Sequence, residues 1–116
     1  IILEANDKVP YWVNSGLPTV GFRMPSHPIT LELIRAFGPL IGPSANISGH
    51  TSGVSFEEIL KEFGQEVLGI EDDAFLTGQD STILDLTASK ARILRQGSIT
   101  REDILAKIPE IPFEEV

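Results

Sequence analysis

Apolar residues along this chain fall into short runs that alternate between two periods. Residues 1–4 (Ile1-Ile2-Leu3-Glu4), Pro18 to Phe22, Val67 to Ile70, Thr82 to Leu86 and Ala91 to Leu94 are brief aliphatic or β-branched stretches bounded by turn residues, the pattern of strands. From Ile29 to Phe37, Ile29, Leu31, Leu33, Ile34 and Phe37 recur at helical spacing and Gly38 supplies the stop. Phe56, Ile59, Leu60 and Phe63 form a second helical stripe, opened by the Ser55/Glu58 capping-box pair and ended by Gly64. Thr100 three residues before Asp103 starts a short helix through Ile108, which Pro109 and Pro112 close. Asp7 to Gly16 reads as a helical turn, with Pro10 near its start and Gly16 near its stop. Pro25 and Pro28 bracket a turn, Pro39 to Ile41 is a brief buried run, and Thr77 to Asp80 turns again. Thr87 to Lys90 joins the last two strands as a hairpin. Strands alternating with helices predict an α/β fold, a twisted mixed sheet with flanking helices.

Composition narrows this picture. At 116 residues the chain makes one domain at most, and its 41% hydrophobic content fits a globular protein. No apolar run approaches the ~20 residues of a membrane span, and no signal-peptide pattern occurs. With no Cys, disulfides and Cys-based zinc sites are excluded; His27 and His50 are too few for a His-led metal cluster. These features favour the cytoplasm. Net charge is −8, which argues against non-specific nucleic-acid binding. The acid concentrates in Glu71-Asp72-Asp73 and Glu110 to Glu115, read as solvated loop and tail. A polyanion site would need a few converging arginines. The chain opens inside a strand pattern without Met, so an earlier portion is expected to be absent from it.

Gly42-Pro43-Ser44-Ala45-Asn46-Ile47-Ser48-Gly49 is the most informative segment. Its Gly, Pro, Ser and Asn content suits neither a helix nor a strand interior. Such a turn after a buried run offers hydroxyls and free N–H groups to a phosphate, carboxylate or nucleotide; the plain alternative is a polar loop leading to the next helix. Arg23 after Val20-Gly21-Phe22, Ser81-Thr82 before the next strand, and Arg95 after Ile93-Leu94 also place polar groups at strand ends, where open sheets bind ligands. Arginine forks suit carboxylate or phosphate. Taken singly, Arg23 or Arg95 reads as a surface arginine paired to a carboxylate, and Asp85 as a structural acceptor. Tyr11 and Trp12 read as core or rim packing, and His27 as a turn residue. No nucleophile–His–acid set, GxGxxG or Walker A pattern occurs. The residues alone support an anion or nucleotide site in an α/β domain.

Four segments together resemble a known family. Val20-Gly21-Phe22-Arg23-Met24-Pro25, Gly42 to Gly49, Asp80-Ser81-Thr82-Ile83-Leu84-Asp85, and Ile93-Leu94-Arg95-Gln96-Gly97-Ser98-Ile99-Thr100 are similar, in order and spacing, to the later half of the YrdC-like domain of threonylcarbamoyl-AMP synthases. The resemblance makes residues 1–108 the C-terminal portion of such a domain and residues 109–116 an acidic, Pro-containing tail. It implies nucleotidyltransfer from L-threonine, bicarbonate and ATP to threonylcarbamoyl-adenylate and pyrophosphate. That product serves the N6-threonylcarbamoyl (t6A37) modification of tRNA. By resemblance, Thr19, Asn46 and Arg95 hold ATP, while Arg23, Ser44 and Ser81 surround threonine. Mg²⁺ is implied with ATP, with no metal ligand named, and no catalytic residue is assigned. The implied partners include tRNA or double-stranded RNA and other t6A-modification proteins, but no membrane.

The chain departs from the family pattern in three places. The earlier half's Pro-Thr-Asp/Glu-Thr-type strand and Lys-x-Arg segment are not in it, so this chain alone is expected to be inactive. His50-Thr51-Ser52-Gly53-Val54 stands where many members carry a Pro-Ser-Pro-Thr-like segment, and Gln79-Asp80 where a Glu often precedes Ser-Thr. Two rival readings are the YrdC-like module of a hydrogenase-maturation carbamoyltransferase and a non-catalytic nucleotide- or RNA-binding paralogue. The first carries Cys motifs, which this chain lacks. ATP binding without threonine-dependent turnover would mark the second.

Overall fold

A four-stranded mixed sheet in the order β2-β1-β3-β4 organises one part of the chain. The computed structural model describes residues 1–51, 55–75 and 78–115. Strand β1 (Ile2–Glu4) runs antiparallel to β2 (Thr19–Gly21), pairing Ile2 with Gly21, Leu3 with Val20 and Glu4 with Thr19. It runs parallel to β3 (Ile83–Asp85), where Ile2 meets Asp85 and the Leu86 N–H donates to the Ile2 carbonyl at 3.0 Å. Strand β4 (Arg92–Arg95) closes the sheet antiparallel to β3. The register slips between Ile83 and Leu84, so Leu84 faces Ile93 while Ile83 faces Arg95, leaving Leu94 as the extra residue of a bulge. Among the described residues the buried apolar side chains are Val20, Leu84 and Ala91. This sheet bears out the expected mixed topology and its hairpin.

The chain divides into two units, Ile1–Met24 with Gln79–Val116, and Pro25–Gly78. The first holds the sheet, α1 (Tyr11–Asn14) and α4 (Arg101–Lys107). Helix α4 starts where its capping box predicts. Thr100 Oγ1 accepts from the Asp103 N–H at 3.1 Å, and Asp103 Oδ2 accepts from the Thr100 N–H at 2.8 Å. After Pro109 the acidic segment returns to the sheet. The Ala91 N–H donates to the Pro112 carbonyl at 2.7 Å and the Glu114 N–H to the Ala91 carbonyl at 3.0 Å. The Arg101 guanidinium lies 4.8 Å from the centre of the Phe113 ring.

The second unit holds α2 (Pro28–Phe37), α3 (Phe56–Phe63) and a single 3₁₀ turn, Asp73–Phe75. His27 Nδ1 caps α2 by accepting from the Ile29 N–H at 3.3 Å, while Nε2 meets the Asp72 carbonyl oxygen at 2.8 Å. Gly38, at φ +82°, ends α2 in a backbone conformation a side chain would strain. Ser55 Oγ accepts from the Glu58 N–H at 3.3 Å, and the Asp73 carboxylate accepts from the Phe56 N–H at 3.0 Å.

Four expectations are corrected. Pro39 to Ile41 is neither regular nor buried: Pro39 withholds one ladder donor from a three-residue run, and Gly42-Pro43 stops it from lengthening. Val67 to Ile70 forms no strand: its side chains are exposed, and only the Gly69 backbone approaches the Phe56 ring, where an added Cβ would be 2.5 Å away. Asp72 and Asp73 are half-buried, not solvated: the Asp72 backbone carbonyl meets the ring of His27, the cap of α2, with its carboxylate 3.9 Å from that ring, and the Asp73 carboxylate accepts from the Phe56 N–H of α3. Tyr11 and Trp12 are three-quarters exposed, since a four-residue helix has too little surface to seat both. The expected turn at Thr77 to Asp80 and the departure at His50 to Val54 fall partly outside the described residues, at Thr77 and at Ser52, Gly53 and Val54.

Candidate functional site

Strand direction decides which of the candidate residues meet. β2 and β4 end at the edge of the sheet where β1 and β3 begin. Arg23 follows β2, Ser81 precedes β3 and Arg95 closes β4, so all three lie at that one edge. Ser81 and Arg95 are in direct contact: Arg95 Nε donates to the Ser81 carbonyl oxygen at 3.0 Å, and Nη1 lies 3.7 Å from Asp80 Oδ2. The guanidinium is still half exposed. The bulge at Leu94 sets this contact, because it brings Arg95 opposite Ile83 and beside the incoming Asp80-Ser81 segment.

Backbone packing fixes the contact further. Gly97 lies so close to the preceding strand that a Cβ there would stand 2.2 Å from the Asp80 carbonyl oxygen and 2.4 Å from the Thr82 nitrogen. The Gly97 N–H donates to Thr82 Oγ1 at 3.0 Å, and that hydroxyl donates to the Ile99 carbonyl at 2.5 Å. Gln96 Nε2 donates to the Gly97 and Ile99 carbonyls at 2.9 and 2.7 Å. Thus Asp80-Ser81-Thr82 and Arg95 to Ile99 form one knot with an arginine on its surface.

Arg23 and Thr19 stand apart from this knot. Arg23 shares the edge but follows the outermost strand on the other side, about 14 Å away at three strand spacings. Among the described residues it forms no ion pair. Thr19 pairs with Glu4 at the opposite end, about 13 Å along the strands from the level of Arg95. Its carbonyl accepts from Asn14 Nδ2 at 2.8 Å.

In the second unit, Ser44 is exposed and Asn46 half-buried. Asn46 Nδ2 donates to the Ile47 and His50 carbonyls at 3.0 Å each, closing the turn on itself. Asp85, by contrast, is structural. Its Oδ1 accepts from the Thr87 N–H at 2.9 Å and hydroxyl at 2.7 Å, and Oδ2 from Arg92 at 3.2 Å. The Thr87 bonds hold its carboxyl below the usual carboxylate range, with Arg92 adding to the shift. Among the described residues no group of three or more His, Asp or Glu side chains is arranged to hold a metal ion. No helix among them is long and apolar enough to cross a membrane.

The family model for Sua5, YciO and YrdC proteins, described as telomere recombination, matches residues 1–97. This chain belongs to the Sua5/YrdC family. The match takes in the N-terminal portion of the chain; α4 and the acidic segment lie beyond it. The chain is 37% identical over 113 residues to a threonylcarbamoyl-AMP synthase of Pyrococcus abyssi, covering 96% of this chain and 33% of that protein. It is 41% identical over 101 residues to the Bacillus subtilis threonylcarbamoyl-AMP synthase, covering 85% and 29%. The crystal structure of P. abyssi Sua5 complexed with L-threonine superposes with a TM-score of 0.79 at 37% identity, over 97% of this chain and 34% of that one. The chain therefore spans about a third of the length of the relatives it matches.

Sequence reasoning on this Sua5/YrdC chain missed Glu62 and Gly97. Glu62 lies beside Ile59 on α3, and its carboxylate reaches back to the Asn46 turn. Its partners lie 12 and 15 residues earlier, beyond any local pattern. Gly97 sits in a motif segment, but only the neighbouring strand shows why a side chain is refused there.

Proposed function

We propose that this chain forms part of a threonylcarbamoyl-AMP synthase, with residues 1–108 as the domain portion and 109–116 as its tail. In the reaction, the threonine amine and bicarbonate give an N-carboxylate with loss of water. That carboxylate attacks the α-phosphorus of ATP, forming threonylcarbamoyl-adenylate and expelling pyrophosphate. The observation that carries this reading is 37% identity to the P. abyssi enzyme along 96% of the chain, joined to its Sua5 structure with L-threonine. The adenylate goes on to the N6-threonylcarbamoyl modification of tRNA, in the hands of other modification proteins. Mg²⁺ enters with the triphosphate as part of the substrate, and the setting is cytoplasmic.

Arg95 contacts the nucleotide phosphates, supported by its half-exposed guanidinium and the knot that holds it. Asn46 and Thr19 hold other parts of ATP. Arg23, Ser44 and Ser81 surround threonine, with Arg23 offering its fork to the amino-acid carboxylate. No side chain acts as a covalent nucleophile. The residues work by positioning and by stabilising charge on the transferring groups.

The test is threonine-dependent pyrophosphate release from ATP and bicarbonate, on this chain and on the complete reading frame that encodes it. Release that requires threonine and bicarbonate supports the proposal. ATP binding without such release, in folded protein, would replace it with the non-catalytic paralogue.

A further inference from the structure

The turn carrying Ser44 and Asn46 is held from two sides. From within, Asn46 Nδ2 ties down the Ile47 and His50 carbonyls, and the His50 N–H donates to the Ile47 carbonyl at 2.9 Å. From outside, one oxygen of Glu62 receives two donors. The Ile47 N–H lies 2.8 Å from Oε1 and His50 Nδ1 lies 2.9 Å from it. The side chain of Glu62 is only 17% exposed, although α3 has no fully buried residue. An acid on that helix does nothing for α3 itself through these bonds; both run to the turn.

We propose that Glu62 is a positioning residue for the Ser44–Asn46 turn in the reaction set out above, on which this inference rests. Its acceptor oxygen fixes the Ile47 backbone, and with it the direction in which Asn46 and the preceding Ser44 are presented. The chemistry required is an acceptor at that point, not a negative charge. Glutamine keeps an oxygen there, whereas alanine removes it. The turn would then lose its brace from α3 and sample other conformations, and ligand binding would fall by the fraction of time it is misplaced.

The experiment compares Glu62→Ala and Glu62→Gln with wild type in the complete polypeptide. It reads amide hydrogen exchange at Ile47, KM for ATP and threonine, kcat and the melting temperature. Glu62→Ala is expected to speed Ile47 exchange about tenfold or more and to raise KM about fivefold, with kcat within about twofold. Glu62→Gln should remain within about twofold of wild type on every count. Unchanged Ile47 exchange and KM in Glu62→Ala would overturn the proposal, as would a Glu62→Gln that fails like alanine. A drop in melting temperature without a KM change would make Glu62 a purely structural residue. Loss of activity in Ser44→Ala and Asn46→Ala beside a normal Glu62→Ala would sink this inference and spare the enzyme reading. Absence of threonine-dependent turnover in wild type would sink the enzyme reading, and Ile47 exchange would still decide whether Glu62 braces the turn.

Discussion

Gly97→Ala tests the packing that holds Arg95. The added methyl would stand 2.2 Å from the Asp80 carbonyl oxygen, 2.4 Å from the Thr82 nitrogen and 2.5 Å from the Ser81 carbonyl carbon. All three are backbone atoms, so no flexible side chain can swing aside. Relief requires the 80–82 segment or the 95–97 segment to move by about 1 Å, the gap between these distances and ordinary contact. Overpacking of this kind costs about 1–3 kcal/mol. The same movement disturbs the Gly97 N–H bond to Thr82 and the Arg95 bond to Ser81, each worth about 1 kcal/mol. The sum is about 3–5 kcal/mol, a large part of the stability of a small domain. Urea titration of the purified chain reads it as a midpoint lowered by about 1–3 M at unchanged slope. Gly42→Ala is the matched control, since a Cβ there meets nothing within 4 Å. It should be neutral, or stabilising by up to about 1 kcal/mol through the unfolded chain. A Gly97→Ala midpoint indistinguishable from Gly42→Ala would refute the close approach and, with it, the account of how Arg95 is held.

Arg95→Ala should weaken use of ATP by about 1.5–3 kcal/mol in kcat/KM, the loss of a charge-assisted contact; Arg95→Lys should not restore it, because lysine cannot bond Ser81 and a phosphate through one planar fork. Ser44→Ala should lower turnover with a melting temperature unchanged to within about 1 °C, whereas Asn46→Ala should lower both, since the Ile47 and His50 carbonyls each lose the Asn46 bond and only Ile47 keeps another described donor, the His50 N–H. Asp85 and Asp103 are held below their ordinary value of 3.8, by Thr87 and by Thr100 respectively. A carboxylate depressed in the folded state adds stability that is present above its unfolded value and lost as pH falls through the folded one. Melting temperature should therefore drop below about pH 4 in wild type, and Asp85→Asn should flatten that drop; an equal acid slope in the variant would show that Asp85 plays no part.

Local chemistry in the sequence located the elements well wherever a residue and its partner lie within one turn. The Ser55 and Thr100 caps, the Gly38 and Gly64 stops and the hairpin through Thr87 all act over a few positions, and each helix boundary they mark agrees with the structure. Strands are different, because a strand exists only if another segment pairs with it. Val67 to Ile70 has the composition of one and no strand partner among the described residues. The site divides in the same way. That the strands of Ser81 and Arg95 are neighbours could be read from the hairpin, although the resemblance gave the two residues to different ligands. That Thr19 lies at the far end of the sheet, and that Glu62 holds the Asn46 turn, depends on strand direction and on contacts between distant residues.

The exposed surface ties these observations together. Among the described residues only Val20, Leu84 and Ala91 are buried apolar side chains. Exposed apolar side chains also flank the candidate residues. Arg23 stands between exposed Phe22 and Met24, Ser44 and Asn46 between exposed Ile41 and Ile47, and Arg95 between exposed Leu94 and Ile99. Each segment by itself therefore sets one or two polar groups among apolar neighbours, the composition of surface that contacts ligands. An exposed apolar side chain beside a lone surface arginine is a cost with no return. Beside an arginine that meets a phosphate, it excludes water and strengthens the contact. Phe22, Met24, Ile41, Ile47, Leu94 and Ile99 are thus the exposed residues that would give these arginines and amides their grip. Occupation of these segments should raise stability together with affinity.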